Sequence, residues 1–481
     1  MGKKRLISEL PEELVSDFST GLRGKVFRPD DIGYDESRTV FNKMHDRRPG
    51  LIVRCSGTAD VVDAVRFAAK QGLLLAVRSG GHSVASNSSC EGGLVIDLSA
   101  MNHVHVDARR RVAEVAGGAT WGDVDRETAL YGLVTPGGAV STTGVAGLTL
   151  GGGIGWLMRK HGLACDGLLA AQVVAASGEV VTASAKENAD LLWALQGGGG
   201  NFGVVTRLEL QLHPMEAEVL VALPIYGVDQ APSVLPAWRE WAATIPDEVM
   251  TNAIFWTIPG PPMPPELHGK AVFITPALYA GKADAAEAVL EPLRQLGTPL
   301  FDLTQAMPFA LGLQRAFDPF FGELGQHISY WKATFLDDLS DSAIDLILRR
   351  AGERPDPWTL INIPRLGGAF ARKGPGDTAF GDRSARFMLS IDGNWHDPAQ
   401  NAPNVAWVRR FWDDLLPYST GRNYVNFLGD EGDLTPSQAL TRSVYQENYE
   451  RLVDVKTKYD PTNLFQMNQN ILPRGSEVPT R

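Results

Sequence analysis

The run Arg78-Ser79-Gly80-Gly81-His82-Ser83 stands directly after residues 73–77, an apolar segment that reads as a buried strand. Small residues at a strand exit let main-chain N–H groups approach a ligand such as a diphosphate closely. His82 is harder to explain as structure, since a histidine in a glycine loop has little local packing to make. Taken alone, such a residue is more often a satisfied polar group than a cofactor ligand. Its neighbours change that balance.

Working outward, residues 58–72 predict a helix, with Thr58 as its cap, Asp60 in the first turn, an apolar face of Val61, Val62, Val65 and 67–69, and a stop at Gly72. Residues 93–98 and 112–115 read as further strands, and a helix capped by Thr120 ends near Gly132. From Pro136 to Gly155 the sequence is PGGAVSTTGVAGLTLGGGIG. It is too glycine-rich for a regular element and too apolar for a linker, so it predicts a buried loop hugging a ligand. Residues 171–176 and 179–183 flank Ser177-Gly178 as a hairpin, residues 190–196 are helical, and residues 204–212 alternate as a half-exposed strand. Pro214 is expected to end the first domain. Gly198-Gly199-Gly200-Asn201-Phe202-Gly203 satisfies the letters of a nicotinamide fingerprint, but it follows a helix and opens a strand, the reverse of what that fingerprint needs.

Residues 216–420 have a different texture, with few glycine clusters, most of the tryptophans, and strand candidates at 270–273 and 386–391. The tail predicts a helix over 437–458, followed by Pro461. A chain of 481 residues is long enough for two domains and a large buried cofactor. A net charge of −11 argues against a nucleic-acid partner, and no apolar run approaches the roughly 20 residues of a membrane helix. No secretion signal is visible behind Lys3-Lys4-Arg5, and Cys55, Cys90 and Cys165 form neither a disulfide framework nor a metal pattern, so a reducing cytoplasm and no metal are expected.

Residues 78–83, 136–155, 162–166 (Gly-Leu-Ala-Cys-Asp) and 195–203, with Tyr424-Val425-Asn426-Phe427 and the later Tyr459-Asp460-Pro461-Thr462-Asn463-Leu464-Phe465 and Asn468-Gln469-Asn470-Ile471, together resemble the berberine-bridge-enzyme-like group of FAD-linked oxidases, within the vanillyl-alcohol-oxidase superfamily. The resemblance implies an α+β, two-domain PCMH-type FAD-binding fold with an inserted substrate domain of antiparallel sheet and helices. Its parts are residues 1–215, the FAD-binding domain, 216–420, the substrate-binding domain, and 421–481, the segment returning to the FAD domain. It implies FAD bonded covalently to His82 through the flavin 8α-methyl group. Arg78, Ser79, Gly80, Gly81, Ser83, Pro136, Gly137, Gly138, Thr142, Thr143, Gly144, Gly147, Gly152, Gly153, Gly155, Gly200, Asn201, Gly203, Val205 and Asn468 are the expected remaining cofactor contacts.

The sequence also departs from the group. Many members bond a cysteine to the flavin C6 position; the register point here is Val140, and Cys165 is out of register, so a single histidyl link and no cysteinyl link is expected. Ser86 stands where a glycine is usual. Tyr424 is the expected catalytic base, with Asn426 on the same face if the segment is a strand, although a tyrosine of ordinary pKa near 10 is a poor base at neutral pH. A tyrosine merely packed there is the bland alternative. Tyr330, Trp331, Ser390, Asp392, Asn394 and Trp395 are the substrate candidates, although aromatics at such spacing are more often domain core. Thr143, close in size to valine, should leave an oxygen path open. The expected activity is oxidation of a CH–OH, C–N or C–C site in a small molecule such as a sugar, alkaloid or polyketide, with dioxygen reduced to hydrogen peroxide. The rivals are a dehydrogenase of the same fold using another acceptor, a flavin-binding protein without turnover, and a nicotinamide enzyme, which would be colourless.

Overall fold

The computed structural model describes residues 4–429 and 438–476. Strands β1 (Lys25–Phe27), β2 (Leu51–Arg54), β3 (Leu75–Arg78) and β4 (Leu94–Asp97) form one sheet in the order β1-β2-β4-β3, with β2 and β3 both parallel to β4. Parallel strands cannot be joined by a tight turn. The Thr58–Gln71 helix makes the crossover from β2 to β3, burying Val61, Ala64, Val65 and Ala68 against Leu51, Val53, Leu94 and Ile96. Thr58 does not cap this helix. Gly57 holds the cap position, and the Thr58 hydroxyl instead donates to Gln172 Oε1 at 3.1 Å, while Asp60 accepts the N–H groups of Ser56 and Arg23 at 2.8 and 2.9 Å.

A second, antiparallel sheet contains β5 (Val104–Asp107) and β6 (Val112–Ala116) and, after the short β7 (Leu133–Val134), β8 (Leu168–Val174), β9 (Val180–Ser184) and β10 (Val204–Gln211), in the order β5-β6-β10-β8-β9. The hairpin expected at Ser177-Gly178 is β8–β9, with Gly178 at φ +77° in its turn. Thr120 caps the Trp121–Ala129 helix as expected, exchanging hydrogen bonds with Asp123.

Two further expectations need correction. The glycine-rich segment 136–155 is not loop throughout: Val145–Leu150 is a short helix, because Val145, Ala146, Thr149 and Leu150 recur on one helical face and all bury. The tail is not one helix either. Gln438–Tyr445 and Tyr449–Tyr459 are separate helices, interrupted where Gln446 adopts φ +41°, outside the right-handed region; Ser437 lies outside the described residues.

β11 (His213–Pro214) pairs with β7 and closes this first lobe. The chain then builds a ten-stranded antiparallel sheet from β12 (Val219–Ala222), β13 (Pro224–Gly227), β14 (Val249–Thr257), β15 (Ala271–Ile274), β16 (Ala277–Tyr279), β17 (Phe301–Asp302), β18 (Gln305–Met307), β19 (Ile328–Leu336), β20 (Leu360–Pro364) and β21 (Phe387–Trp395). Helices Ala231–Ala242, Ala286–Arg294, Asp341–Gly352 and Asn401–Leu415 cover one face, where Trp238, Leu290, Ile347, Trp407 and Phe411 meet Phe255, Ile361, Leu389 and Ile391. Side chains alternate along a strand. Asn252, Ile254, Trp256, Leu360, Asn362, Met388 and Asp392 therefore turn to the opposite face, which is the wall of the main cavity. Among the described residues no helix is long and apolar enough to cross a membrane.

Two buried ion pairs tie the segments together. Arg383 holds Asp166 in a bidentate pair at 2.6 and 2.8 Å. Lys456 Nζ, fully buried, reaches Asp460 at 2.7 Å and the carbonyls of Asn201 and Phe465 at 2.8 and 3.0 Å, while Asp460 accepts the N–H groups of Leu464 and Phe465. Burial holds the Lys456 ammonium down at about 8, although Asp460 opposes the shift. Lys456→Met strands the Asp460 carboxylate and is expected to cost about 3–5 kcal/mol, the usual penalty for breaking a buried pair from one side. A thermal or denaturant unfolding curve checks this, and an unchanged midpoint would contradict it.

Candidate active site

A cavity of about 540 Å³ lies between the glycine-rich loops and the bare face of the ten-stranded sheet. On the loop side the backbone turns at Gly81, φ +76°, and the N–H groups of residues 79–83 donate to no acceptor among the described residues. Gly80 and Gly144 touch backbone to backbone: a Cβ on Gly80 would stand 2.2 Å from Gly144 N. Gly147 and Gly200 border the cavity with open space where a side chain would project. Ser79 Oγ and Asn468 Oδ1 are buried without a partner. Free N–H donors, side-chain-free walls and orphaned polar atoms fit a large cofactor carrying a diphosphate. Ser86, where a glycine is usual, sits at φ +54°, a conformation that costs a serine about 1–2 kcal/mol.

His82 reaches the cavity wall from this loop, its ring stacked on Phe41 at 5.0 Å. Its Nε2 lies 2.9 Å from Thr142 Oγ1, and Thr142 donates its own proton to Gly322 O at 2.8 Å. The threonine oxygen is therefore left to accept from Nε2–H, which places the free lone pair on Nδ1. Burial, helped by the nearby Arg78 cation, pushes the imidazole down to about 4, so it is neutral at physiological pH. A neutral imidazole with an exposed lone pair is a nucleophile.

The structure brings most of the expected cofactor residues to this wall: Ser79, Gly80, Gly81, Ser83, Gly138, Thr143, Gly144, Gly147, Gly155, Gly200, Gly203, Val205 and Asn468 all border the cavity. Others stand behind it. Arg78 turns to the Ser37 carbonyl. Gly137 packs on the Trp121 ring, Gly152 on Phe380 and Gly153 on Ala164, so these glycines serve close packing of loop on loop, and Pro136 is likewise set back. Asn201 is spent on structure: its amide donates to Gly198 O and Gln469 O, and its oxygen accepts from Ile471 N. Val140 borders the cavity, whereas Cys165 is buried behind it, where burial pushes its thiol pKa up.

Tyr424 precedes a 3-10 turn, Val425–Phe427, and not a strand; the turn nonetheless brings Asn426 back onto it. Tyr424 Oη accepts from Gly153 N at 3.1 Å, Ile154 N at 3.2 Å and Asn426 Nδ2 at 3.0 Å. Burial raises the phenol pKa, and the three donors only partly offset it. The lowered value that a tyrosine base needs is not supplied.

Of the middle-domain candidates, Trp331 and Asp392 reach the cavity. Tyr330 and Trp395 are core on the helix-covered face, Tyr330 meeting Arg409 and Trp395 meeting Asn401. Asn394 is held by Ser329 and Trp331, and Ser390 donates to Asp392 Oδ1. Burial pushes the Asp392 carboxyl up to about 7, with Ser390 opposing. Among the described residues Asp392 is the only Asp, Glu, Lys or Arg bordering the cavity. Sequence reasoning missed Phe41, Asn252 and Asn362, all on the wall; the polar letters at alternate positions of otherwise apolar strands were the available signal for the two asparagines.

The chain belongs to the berberine-like FAD-linked oxidoreductases. Residues 49–184 match the family described as FAD binding domain, and residues 423–472 match that described as berberine and berberine like. FAD-linked oxidoreductase YgaK of Bacillus subtilis, itself uncharacterised, is 33% identical over 94% of this chain and 98% of its own. (R)-6-hydroxynicotine oxidase of Paenarthrobacter nicotinovorans is 31% identical over 95% of this chain and 98% of its own. The crystal structure of 6-hydroxy-D-nicotine oxidase from Arthrobacter nicotinovorans superposes with a TM-score of 0.80 at 29% identity, covering 94% of this chain and 98% of that one. The protein is thus an FAD-linked oxidoreductase with the two-part fold of this family.

Proposed function

We propose that the protein is an oxidase whose FAD is bonded to His82 alone and whose substrate is a small organic molecule oxidised at a CH–OH, C–N or C–C site. When bound, FAD supplies a two-electron acceptor that takes a hydride at N5 and returns the electrons to dioxygen as hydrogen peroxide. The observation that carries this reading is that His82, Tyr424 and Asp392 all border one cavity, His82 from the loop side and Asp392 from the sheet side. His82 Nδ1 is the atom available for the bond, with Thr142 fixing the ring. Residues 79–83 hold the diphosphate through their N–H groups. Thr143 leaves room for dioxygen.

Asp392 takes the proton that the substrate releases as its hydride departs. A carboxyl poised at about 7 is matched to that task at neutral pH. Tyr424 keeps its own proton at that pH and, its oxygen already filled by three N–H groups, points O–H into the site as a donor to the reacting group. Tyr424→Phe is expected to retain bound flavin, to lower kcat about 100-fold as for the loss of one aimed donor, and to cost about 1–3 kcal/mol because three N–H groups lose their acceptor. Stopped-flow reduction and unfolding curves check both. The proposal as a whole is tested by anaerobic reduction with a panel of alcohols and amines followed by admission of air: bleaching and then stoichiometric peroxide is expected. Bleaching with no peroxide in air selects a dehydrogenase instead.

A further inference from the structure

The cavity wall supplied by the ten-stranded sheet is almost wholly apolar, with Met250, Ile254, Trp256, Ile274, Leu360 and Met388 on it. Two carboxamides interrupt it. Asn252 on β14 and Asn362 on β20 border the cavity, and the Oδ1 of each is buried with no hydrogen-bond partner. Neither carboxamide makes a side-chain hydrogen bond to any described residue. The register places them together: Ile254 pairs with Asn362 and Asn252 pairs with Pro364, so the asparagines are diagonal neighbours on one face. Such neighbours stand about 7–8 Å apart, close enough for one small group to bridge two side chains. On the next strand, Ser390 lies directly opposite Asn362, and Asp392 is two residues beyond it.

A carboxamide oxygen buried without a partner is costly, and the half-buried Asn252 and Asn362 each carry one on this apolar sheet. No side-chain hydrogen bond to a described residue explains them. We infer that Asn252 and Asn362 are specificity-determining residues that together bind a hydroxyl group on an otherwise apolar ring molecule that carries no negative charge. A hydroxyl is the smallest group that both donates and accepts, and each carboxamide can present either its oxygen or its N–H₂ by rotation. Asp392 turns away anions, since no Lys or Arg borders the cavity to pair with them. The apolar side chains on either side take up the ring. This assignment rests on the proposed function only in treating the cavity as the substrate chamber.

The test is calorimetric titration of the flavin-loaded protein with naphthalene, 2-naphthol and 2-naphthoate, three probes of one shape that cannot yield a hydride from an sp³ carbon. The wild-type protein is expected to bind 2-naphthol about tenfold tighter than naphthalene, the yield of one or two net hydrogen bonds of about 1 kcal/mol each, and 2-naphthoate more weakly than either. Asn252→Leu and Asn362→Leu should each lower the affinity for 2-naphthol several-fold, and the double variant should bring it to that of naphthalene, while all three leave naphthalene unchanged or tighter. Both single variants should also raise Tm, because an orphaned amide gives way to an apolar isostere; a purely structural asparagine would lower it. Equal wild-type affinities for 2-naphthol and naphthalene overturn the inference without any variant, as does a wild-type ratio preserved in both single variants. The probes bind without turnover, so these outcomes are independent of whether any substrate is oxidised or peroxide formed.

Discussion

His82→Ala is expected to yield a chain whose yellow colour, if retained at all, washes out on acid denaturation, with turnover strongly reduced even when excess FAD is supplied. The proposed attachment finds the imidazole facing the cavity, neutral because burial and Arg78 push its pKa down to about 4, and with Nε2 occupied by Thr142. A covalent link tunes the flavin as an oxidant as well as anchoring it. If losing it lowers the potential by about 60 mV, the two-electron driving force falls by about 2.8 kcal/mol and the reduction equilibrium by about 100-fold. Because Gly80, Gly144, Gly147 and Gly200 are untouched by the change, the cavity should still take up free FAD, and spectral titration measures that directly. Wild-type turnover in a protein with no acid-stable colour would show that the tether is dispensable to the chemistry.

Asp392→Asn is expected to lower the rate of flavin reduction by about 10²–10⁴-fold, the range for loss of a positioned proton acceptor. The pH profile is the sharper readout. Asp392 accepts a proton only when ionised, and its carboxyl is pushed up to about 7, so the wild-type rate rises with pH through that value and levels off above it. The asparagine variant has no such limb. Stopped-flow reduction between pH 5.5 and 9 distinguishes this from a mere packing defect, which would scale the whole curve without removing its inflection. A limb that survives unchanged in the variant assigns the titration to another group.

The FAD-side lobe was legible because its chemistry is local in sequence. The small residues at 78–83 mark a loop whose N–H groups can approach a ligand, and Thr120 announces a helix start. Where the reading failed, long-range packing decided. Residues 145–150 lie between glycines yet form a helix because their apolar side chains find a core. The tail keeps helical periodicity straight through Gln446, whose left-handed backbone breaks it. Arg78 and Asn201 sit inside the right motifs but are consumed by Ser37 and by the C-terminal segment, partners far away in the chain. The sheet side of the cavity was the least legible part. Which face of β14 or β20 meets the cavity depends on the helices packed behind it, and Asn252 and Asn362 acquire meaning only once the register sets them side by side. Asp392 was visible as a candidate, but its raised pKa comes from burial, which no local pattern encodes.

The most direct check is peptide mapping of the wild-type protein after acid precipitation and trypsin digestion. The peptide of residues 79–109 contains His82 together with His103 and His105, so fragmentation must locate the modification within it. The account predicts that this peptide carries the flavin mass on His82 and that no cysteine-containing peptide carries a flavin link at a thiol. An unmodified 79–109 peptide, with the flavin left in the acid supernatant, would contradict it.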